Sequence, residues 1–183
     1  MPDYRNKNRD ELIGIARVHA GLMRSLVEYG KFALGGSLVS DTAPVGHNDI
    51  DIRLLAPEGK DSRKDLRKLS RSIESLVPFC KECEKSPISG ERIFYVHNKR
   101  KLVREIGKVT VDVSIMAEKQ YVPLGLLMLQ LPKEELDLYV EKKYRALRRH
   151  DRQGYKEIKK TMYSRLRLDF AEGRLETVEP FWL

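Results

Sequence analysis

Three aspartates stand in runs of alternating aliphatic residues. Residues 49–55 read Asp-Ile-Asp-Ile-Arg-Leu-Leu. On a strand, side chains alternate between faces, so Asp49 and Asp51 point one way and Ile50 and Ile52 the other. Two carboxylates held this close raise each other's pKa unless a cation neutralises them. Hard oxygen donors suit Mg²⁺ or Mn²⁺, and Mg²⁺ takes one or two carboxylates together with substrate phosphates. Residues 108–116 read Lys-Val-Thr-Val-Asp-Val-Ser-Ile-Met. The same alternation puts Val109, Val111, Val113 and Ile115 on one face and Thr110, Asp112 and Ser114 on the other. Aspartate is depleted from strands, so its place in so β-branched a run asks for a reason. If the two strands are neighbours, three carboxylates converge on one face and could hold two metal ions for an in-line phosphoryl transfer.

Upstream, Gly35-Gly36-Ser37 follows a short predicted strand and precedes a predicted brief helix. Glycine lets the backbone approach a phosphate, a helix N-terminus offers free N–H donors, and the Ser37 hydroxyl adds another. Neither signal means much by itself, since an Asp-x-Asp is commonly a solvated strand face and Gly-Gly-Ser a common turn. Their order, with a third aspartate on a matching strand, makes the site. Other chemistries find less support. Cys80-x-x-Cys83 has no second pair, and His47 and His97 are the nearby candidates to complete a zinc site. No Gly-x-Ser-x-Gly elbow is present, and His19 falls on the apolar face of the first predicted helix.

Taken together, these residues resemble the DNA polymerase β-like nucleotidyltransferase superfamily. That family is marked by a Gly-Gly/Ser pair, an Asp-x-Asp some ten residues on, and a third Asp on a later strand, here Gly35-Gly36-Ser37, Asp49-Ile50-Asp51 and Asp112. The Ser37 to Thr42 spacing is similar to the phosphate loop of archaeal CCA-adding and oligoadenylate-synthetase-like members, with Asp41 where those have Gly or Asn. The resemblance covers residues 8–118. It implies that Asp49 and Asp51 bridge two Mg²⁺ or Mn²⁺ ions and that Asp112 helps to activate an acceptor hydroxyl. Gly35, Gly36 and Ser37 would bind a nucleoside triphosphate, and pyrophosphate would leave.

The elements that must position these residues suggest an α+β fold. Asn8 and Glu11 form a capping-box pattern opening a helix over 9–29, with Leu12, Ile15, Ala16, His19, Leu22, Met23 and Leu26 on one face. Strands are predicted at 31–34, 49–55, 92–103 and 108–116, the last two joined through Gly107, and an amphipathic helix at 61–77. Helices follow at 124–131, 133–149 and 152–170, then an irregular tail ending Pro-Phe-Trp-Leu, which could dock on this chain or on a partner. The expected architecture is a small mixed sheet flanked by helices, with a nucleotidyltransferase core over 1–118 and a helical C-terminal extension over 119–183.

The composition narrows the setting. The 183 residues carry 35 Lys+Arg against 27 Asp+Glu, a net charge of +8. The longest apolar stretch, 121–132, is too short for the roughly 20 residues that span a bilayer, and the N-terminus has no signal-peptide core. Two cysteines make no disulfide framework, so a reduced, cytoplasmic protein is expected. Residues 1–50 balance six basic against six acidic side chains, whereas 142–167 hold eleven basic residues opposed by Asp151 and Glu157. A second basic cluster runs from Lys60 to Arg71. Arg148, Arg149, Arg152 and Lys156 are therefore candidates for binding the acceptor, against the plainer reading of a solvated helix face. Tyr139, Tyr144, Tyr155 and Tyr163 could stack on bases or pack in a core, since Tyr155, Ile158, Met162, Leu166 and Phe170 keep helical spacing. The acceptor could be an RNA 3′ end, a protein (as for minimal enzymes that adenylylate toxins) or a small molecule. The rival from another class is a non-catalytic module that docks RNA or a protein.

Overall fold

A computed structural model describes residues 3–25, 30–57, 92–96, 101–106 and 109–183, and of Leu22, 92–96 and 101–106 the backbone alone. The basic cluster at 60–71, the predicted helix at 61–77, Cys80, Cys83, the Gly107 turn and the end of the first predicted helix lie outside the described residues.

The α+β expectation holds. In chain order the described elements are α1 (Arg9–Arg24), β1 (Lys31–Gly35), α2 (Gly36–Val39), β2 (Asp49–Ala56), β3 (Arg92–Val96), β4 (Lys101–Ile106) and β5 (Val109–Ala117). Then come α3 (Leu124–Leu127), α4 (Lys133–Arg148), α5 (Arg152–Ala171) and β6 (Phe181–Trp182). Single 3₁₀ turns at Glu118–Gln120 and Met128–Gln130 flank α3. The strands form one mixed sheet in the order β3-β4-β5-β2-β1-β6, with β2 parallel to β5 and β4 antiparallel to both β3 and β5. The expected single strand over 92–103 is corrected to two antiparallel strands, β3 and β4. Its polar centre, His97 to Arg100, interrupts the apolar run that suggested one strand.

By compactness the chain groups into two units. One comprises residues 1–10, 35–47 and 122–181, the other residues 11–34, 48–121 and 182–183. In the second unit the aliphatic faces of the strands make the core: Ile50, Ile52, Leu54 and Val111 are fully enclosed, and Val113 and Ile115 nearly so. From α1, Leu12, Ile13, Ala16, Ala20 and Met23 are buried at helical spacing. His19 is buried with them and donates from Nδ1 to the Ile15 carbonyl at 3.0 Å, a helix histidine satisfied within its own turn. The tail docks on its own chain: the Leu183 N–H donates to the Phe32 carbonyl at 2.8 Å, and the Lys31 ammonium lies 5.7 Å from the Trp182 ring. An added strand of this kind covers the sheet edge that an unpaired β1 would present.

In the first unit α4 and α5 pack through Leu136, Tyr139 and Leu166, with Met128 and Leu131 beneath them and Ile158, Met162 and Tyr163 at the margin. The tyrosines of the basic run are therefore largely structural. Tyr155 is buried and its hydroxyl meets His47 Nε2 at 3.1 Å, while Tyr144 stacks on Tyr4 with centroids 4.5 Å apart. Asp151 caps α5 by accepting from the Gly154 N–H at 2.8 Å. Among the described residues no helix is long and apolar enough to cross a membrane.

Candidate functional site

The site is built on β2 and β5. Their parallel register pairs Asp49 with Thr110, Asp51 with Asp112 and Arg53 with Ser114, while Ile50, Ile52 and Leu54 pair with Val111, Val113 and Ile115. Two-residue periodicity divides this ribbon into an enclosed aliphatic face and a polar face of six side chains. On the polar face Asp49 is exposed, and Asp51, Arg53, Asp112 and Ser114 are partly buried. The condition set by the sequence, that the two aspartate strands be neighbours, is met. Asp51 and Asp112 stand side by side, with Asp49 one alternation along.

Arg53 also belongs to this face. Its Nη2 donates to Asp51 Oδ1 at 3.2 Å and its Nη1 to Ser114 Oγ at 2.9 Å, so one guanidinium bridges the two strands. Beyond β5, Tyr121 has its phenol pKa raised by burial, partly offset by the positive charge of Arg53. Neither residue stands out in the sequence, although Asp-x-Asp-x-Arg is simply the same alternation continued.

Three carboxylates on one face form an all-oxygen donor set, the chemistry that Mg²⁺ or Mn²⁺ requires. Among the described residues, no three His, Cys, Asp or Glu side chains are gathered tightly enough to hold an ion as they stand. Arg53 places a positive charge against Asp51 in this arrangement. The donor types and their register fit a divalent cation.

Gly35, Gly36 and Ser37 belong to the other compact unit. Gly36 adopts φ +68°, a left-handed conformation that a β-carbon disfavours. It opens the single turn of α2, after which Asp41, also left-handed at φ +52°, lets the chain return so that the Thr42 N–H donates to the Ser37 carbonyl at 2.9 Å. Ser37, Ser40 and Thr42 are all buried, and Ser40 Oγ lies 2.7 Å from Thr42 Oγ1. The loop is thus a closed, internally bonded turn. Its tightness depends on Gly125, where a β-carbon would stand 2.8 Å from the Gly36 carbonyl oxygen and 3.2 Å from Val39 Cβ. Gly125→Ala is expected to cost about 1–3 kcal/mol by overpacking, measured by urea denaturation, because backbone rather than a flexible side chain must yield.

The basic run is not one uniform surface. Arg148, Arg149, Arg152 and Lys156 are exposed, whereas Lys143 is completely enclosed, donating to the Thr42 carbonyl at 2.5 Å. Arg145 is paired with Glu141, and Arg165 with Glu135 and Asp169. Near the start of α5, a cavity of about 540 Å³ is lined by Leu147, His150, Asp151, Arg152, Tyr155, Lys156 and Lys159.

No protein-family profile matches the chain, and no curated protein sequence matches it. Its fold is similar to the solved structure of a cytoplasmic RNA terminal U-transferase, with a TM-score of 0.56 at 12% identity over 80% of this chain and 41% of that one. The chain thus spans about two fifths of that protein's length. At that identity the likeness is one of fold, and the fold is nucleotidyltransferase-like.

Proposed function

We propose that this protein is a metal-dependent nucleotidyltransferase that moves a nucleoside monophosphate from a nucleoside triphosphate to an acceptor hydroxyl and releases pyrophosphate. The observation that carries this reading is the in-register pairing of Asp51 with Asp112, with Asp49 on the same polar face of a ribbon whose other face is sealed in the core. The nucleotidyltransferase-like fold supports it. Asp49, Asp51 and Asp112 would hold Mg²⁺ or Mn²⁺, two ions in the full site, which would neutralise charge on the triphosphate and polarise its α-phosphate. The chain's own part is positioning. The acceptor oxygen bonds to the α-phosphorus as the bond to the β-phosphate oxygen breaks, and Asp112 receives the hydroxyl proton. Gly35, Gly36 and Ser37 are assigned to the triphosphate through backbone N–H groups rather than through the enclosed Ser37 side chain. The core over 1–118 and the helical extension over 119–183 would divide the work between nucleotide and acceptor.

The test compares nucleoside triphosphate binding by wild type and by a variant lacking two of the three carboxylates. Wild type should bind a nucleoside triphosphate in the presence of Mg²⁺ or Mn²⁺, and the Asp49→Ala, Asp51→Ala double variant should lose most of that binding. Failure of wild type to bind any of the four triphosphates, or equal binding by the double variant, would falsify the reading.

For the acceptor we infer RNA, on the exposed basic side chains Arg148, Arg149, Arg152 and Lys156 and the basic cavity beside them. Reversing Arg148, Arg149 and Arg152 to Glu is expected to weaken binding to a short single-stranded RNA. It should also lower the slope of log K against log salt by about 0.7 for each phosphate that is no longer neutralised. Filter binding across a salt series reads both quantities, and an unchanged slope would leave these residues as a solvated face.

A further inference from the structure

The reaction outlined above gives Arg53 no task, yet Arg53 bonds to side chains of both strands on the carboxylate face. Its guanidinium reaches back along β2 to Asp51 Oδ1 at 3.2 Å and across to Ser114 Oγ of β5 at 2.9 Å, and both members of the ion pair are about four-fifths buried. Removal from water strengthens the attraction and gives it a fixed geometry, unlike a surface pair. We propose that Arg53 is an internal counter-ion of the carboxylate site, holding Asp51 while no metal is bound and yielding it when a divalent cation loads. Arg53 thereby sets the metal concentration at which the site fills. This rests on reading Asp49, Asp51 and Asp112 as cation ligands.

The physical reason is competition for one oxygen. A carboxylate ligates Mg²⁺ at about 2.1 Å. A cation placed there on Asp51 Oδ1 would lie within a few ångströms of a guanidinium that already donates to the same atom, and the two positive charges repel. Arg53 also supplies positive charge beside Asp51 and Asp112, which face each other in register as like charges. Ser114 holds the other arm of the fork, so the guanidinium stays aligned along the face. In this role Arg53 is a positioning residue.

The experiment compares Mn²⁺ binding by full-length wild type, Arg53→Gln and Arg53→Lys, read as loss of the free Mn²⁺ spin-resonance signal, together with melting of each metal-free protein. Arg53→Gln keeps a hydrogen-bonding group near Ser114 but no charge. It should bind Mn²⁺ roughly 10-fold more tightly than wild type, the low end of the range for close charge pairs. It should also melt lower without metal and gain more on adding it. Arg53→Lys keeps the charge and should bind close to wild type, which separates charge from shape should the Gln variant prove unstable. Equal or weaker Mn²⁺ binding by Arg53→Gln, or tightening by Arg53→Lys to the same degree, overturns the counter-ion role while leaving the carboxylate site standing. If neither wild type nor Arg53→Gln binds Mn²⁺, the cation-site reading itself falls and this inference with it.

Discussion

Asp112→Asn is expected to lower nucleotidyl transfer by about three orders of magnitude, roughly 4 kcal/mol of transition-state stabilisation, while the protein remains folded. The substitution is nearly isosteric, so the β2–β5 ribbon and its aliphatic face are undisturbed. On the proposed reading, what disappears is one negative charge from a set of carboxylates that would hold positive charge against a polyphosphate. Asp51→Asn should do the same, and the double variant little worse than either single one, because ligands of one site act as a unit. Stability should move the other way. Asp51 and Asp112 are direct partners in register, so neutralising Asp112 relieves a like-charge contact, and the metal-free melting temperature should hold or rise slightly. Pyrophosphate release at saturating Mg²⁺ and a thermal melt of the same sample check both halves. Loss of activity together with loss of fold would mean that Asp112 is structural.

The second large effect concerns Lys143 and is read in stability. Its side chain is fully enclosed between the Thr42 carbonyl and the Tyr139 ring, whose centroid lies 4.3 Å from the ammonium. Burial, with a smaller contribution from the nearby positive charge of Lys159, lowers the pKa from its ordinary 10.5 to about 7. The unfolded chain keeps this proton up to about pH 10.5, whereas the folded protein releases it near 7. Between those values the unfolded state binds more protons, so stability rises with pH through this window, and below about pH 7 the burial penalty applies in full. Against Lys143→Met, which removes the titration and retains an unbranched stem, wild type should gain roughly 3–4 kcal/mol between about pH 6 and about pH 10. Taking the difference between the two proteins cancels the titration of other groups. Urea denaturation at several pH values gives that difference directly, and parallel curves for the two proteins would remove Lys143 as the cause.

Much of the site is legible in the sequence because alternation on a strand is rigid. Asp49 and Asp51 have to share a face and oppose Ile50, and Asp112 has to share a face with Ser114 and oppose Val111 and Val113, whichever sheet contains them. What alternation does not encode is which strands pair, so the adjacency of Asp51 and Asp112 needs the topology. Arg53 is within reach of the same rule, but it is isolated, and basic residues draw notice in a sequence when they cluster. Lys143 shows the converse. It sits in a run of cations that reads as solvated, yet Leu136, Tyr139, Val140 and Ala146 mark a buried helical stripe that passes through position 143. The Phe181–Trp182 strand is too short for any periodicity to reveal, and its place is set by edge pairing with β1. Two strands look like one over 92–103 because the aliphatic and aromatic residues on both sides of His97 to Arg100 outweigh the polar residues between them in the sequence.

We propose that the polar face of β2 and β5 transfers a nucleotide. The most direct test is to incubate the full-length protein with each α-phosphate-labelled nucleoside triphosphate, a short single-stranded RNA and Mg²⁺ or Mn²⁺. Label on the RNA and free pyrophosphate are then followed in parallel with Asp112→Asn. The predicted result is metal-dependent labelling of the RNA with at least one triphosphate, matched by pyrophosphate and reduced about a thousandfold in the variant. Pyrophosphate release that persists undiminished in Asp112→Asn, or the absence of both products with all four triphosphates and either metal, would contradict it.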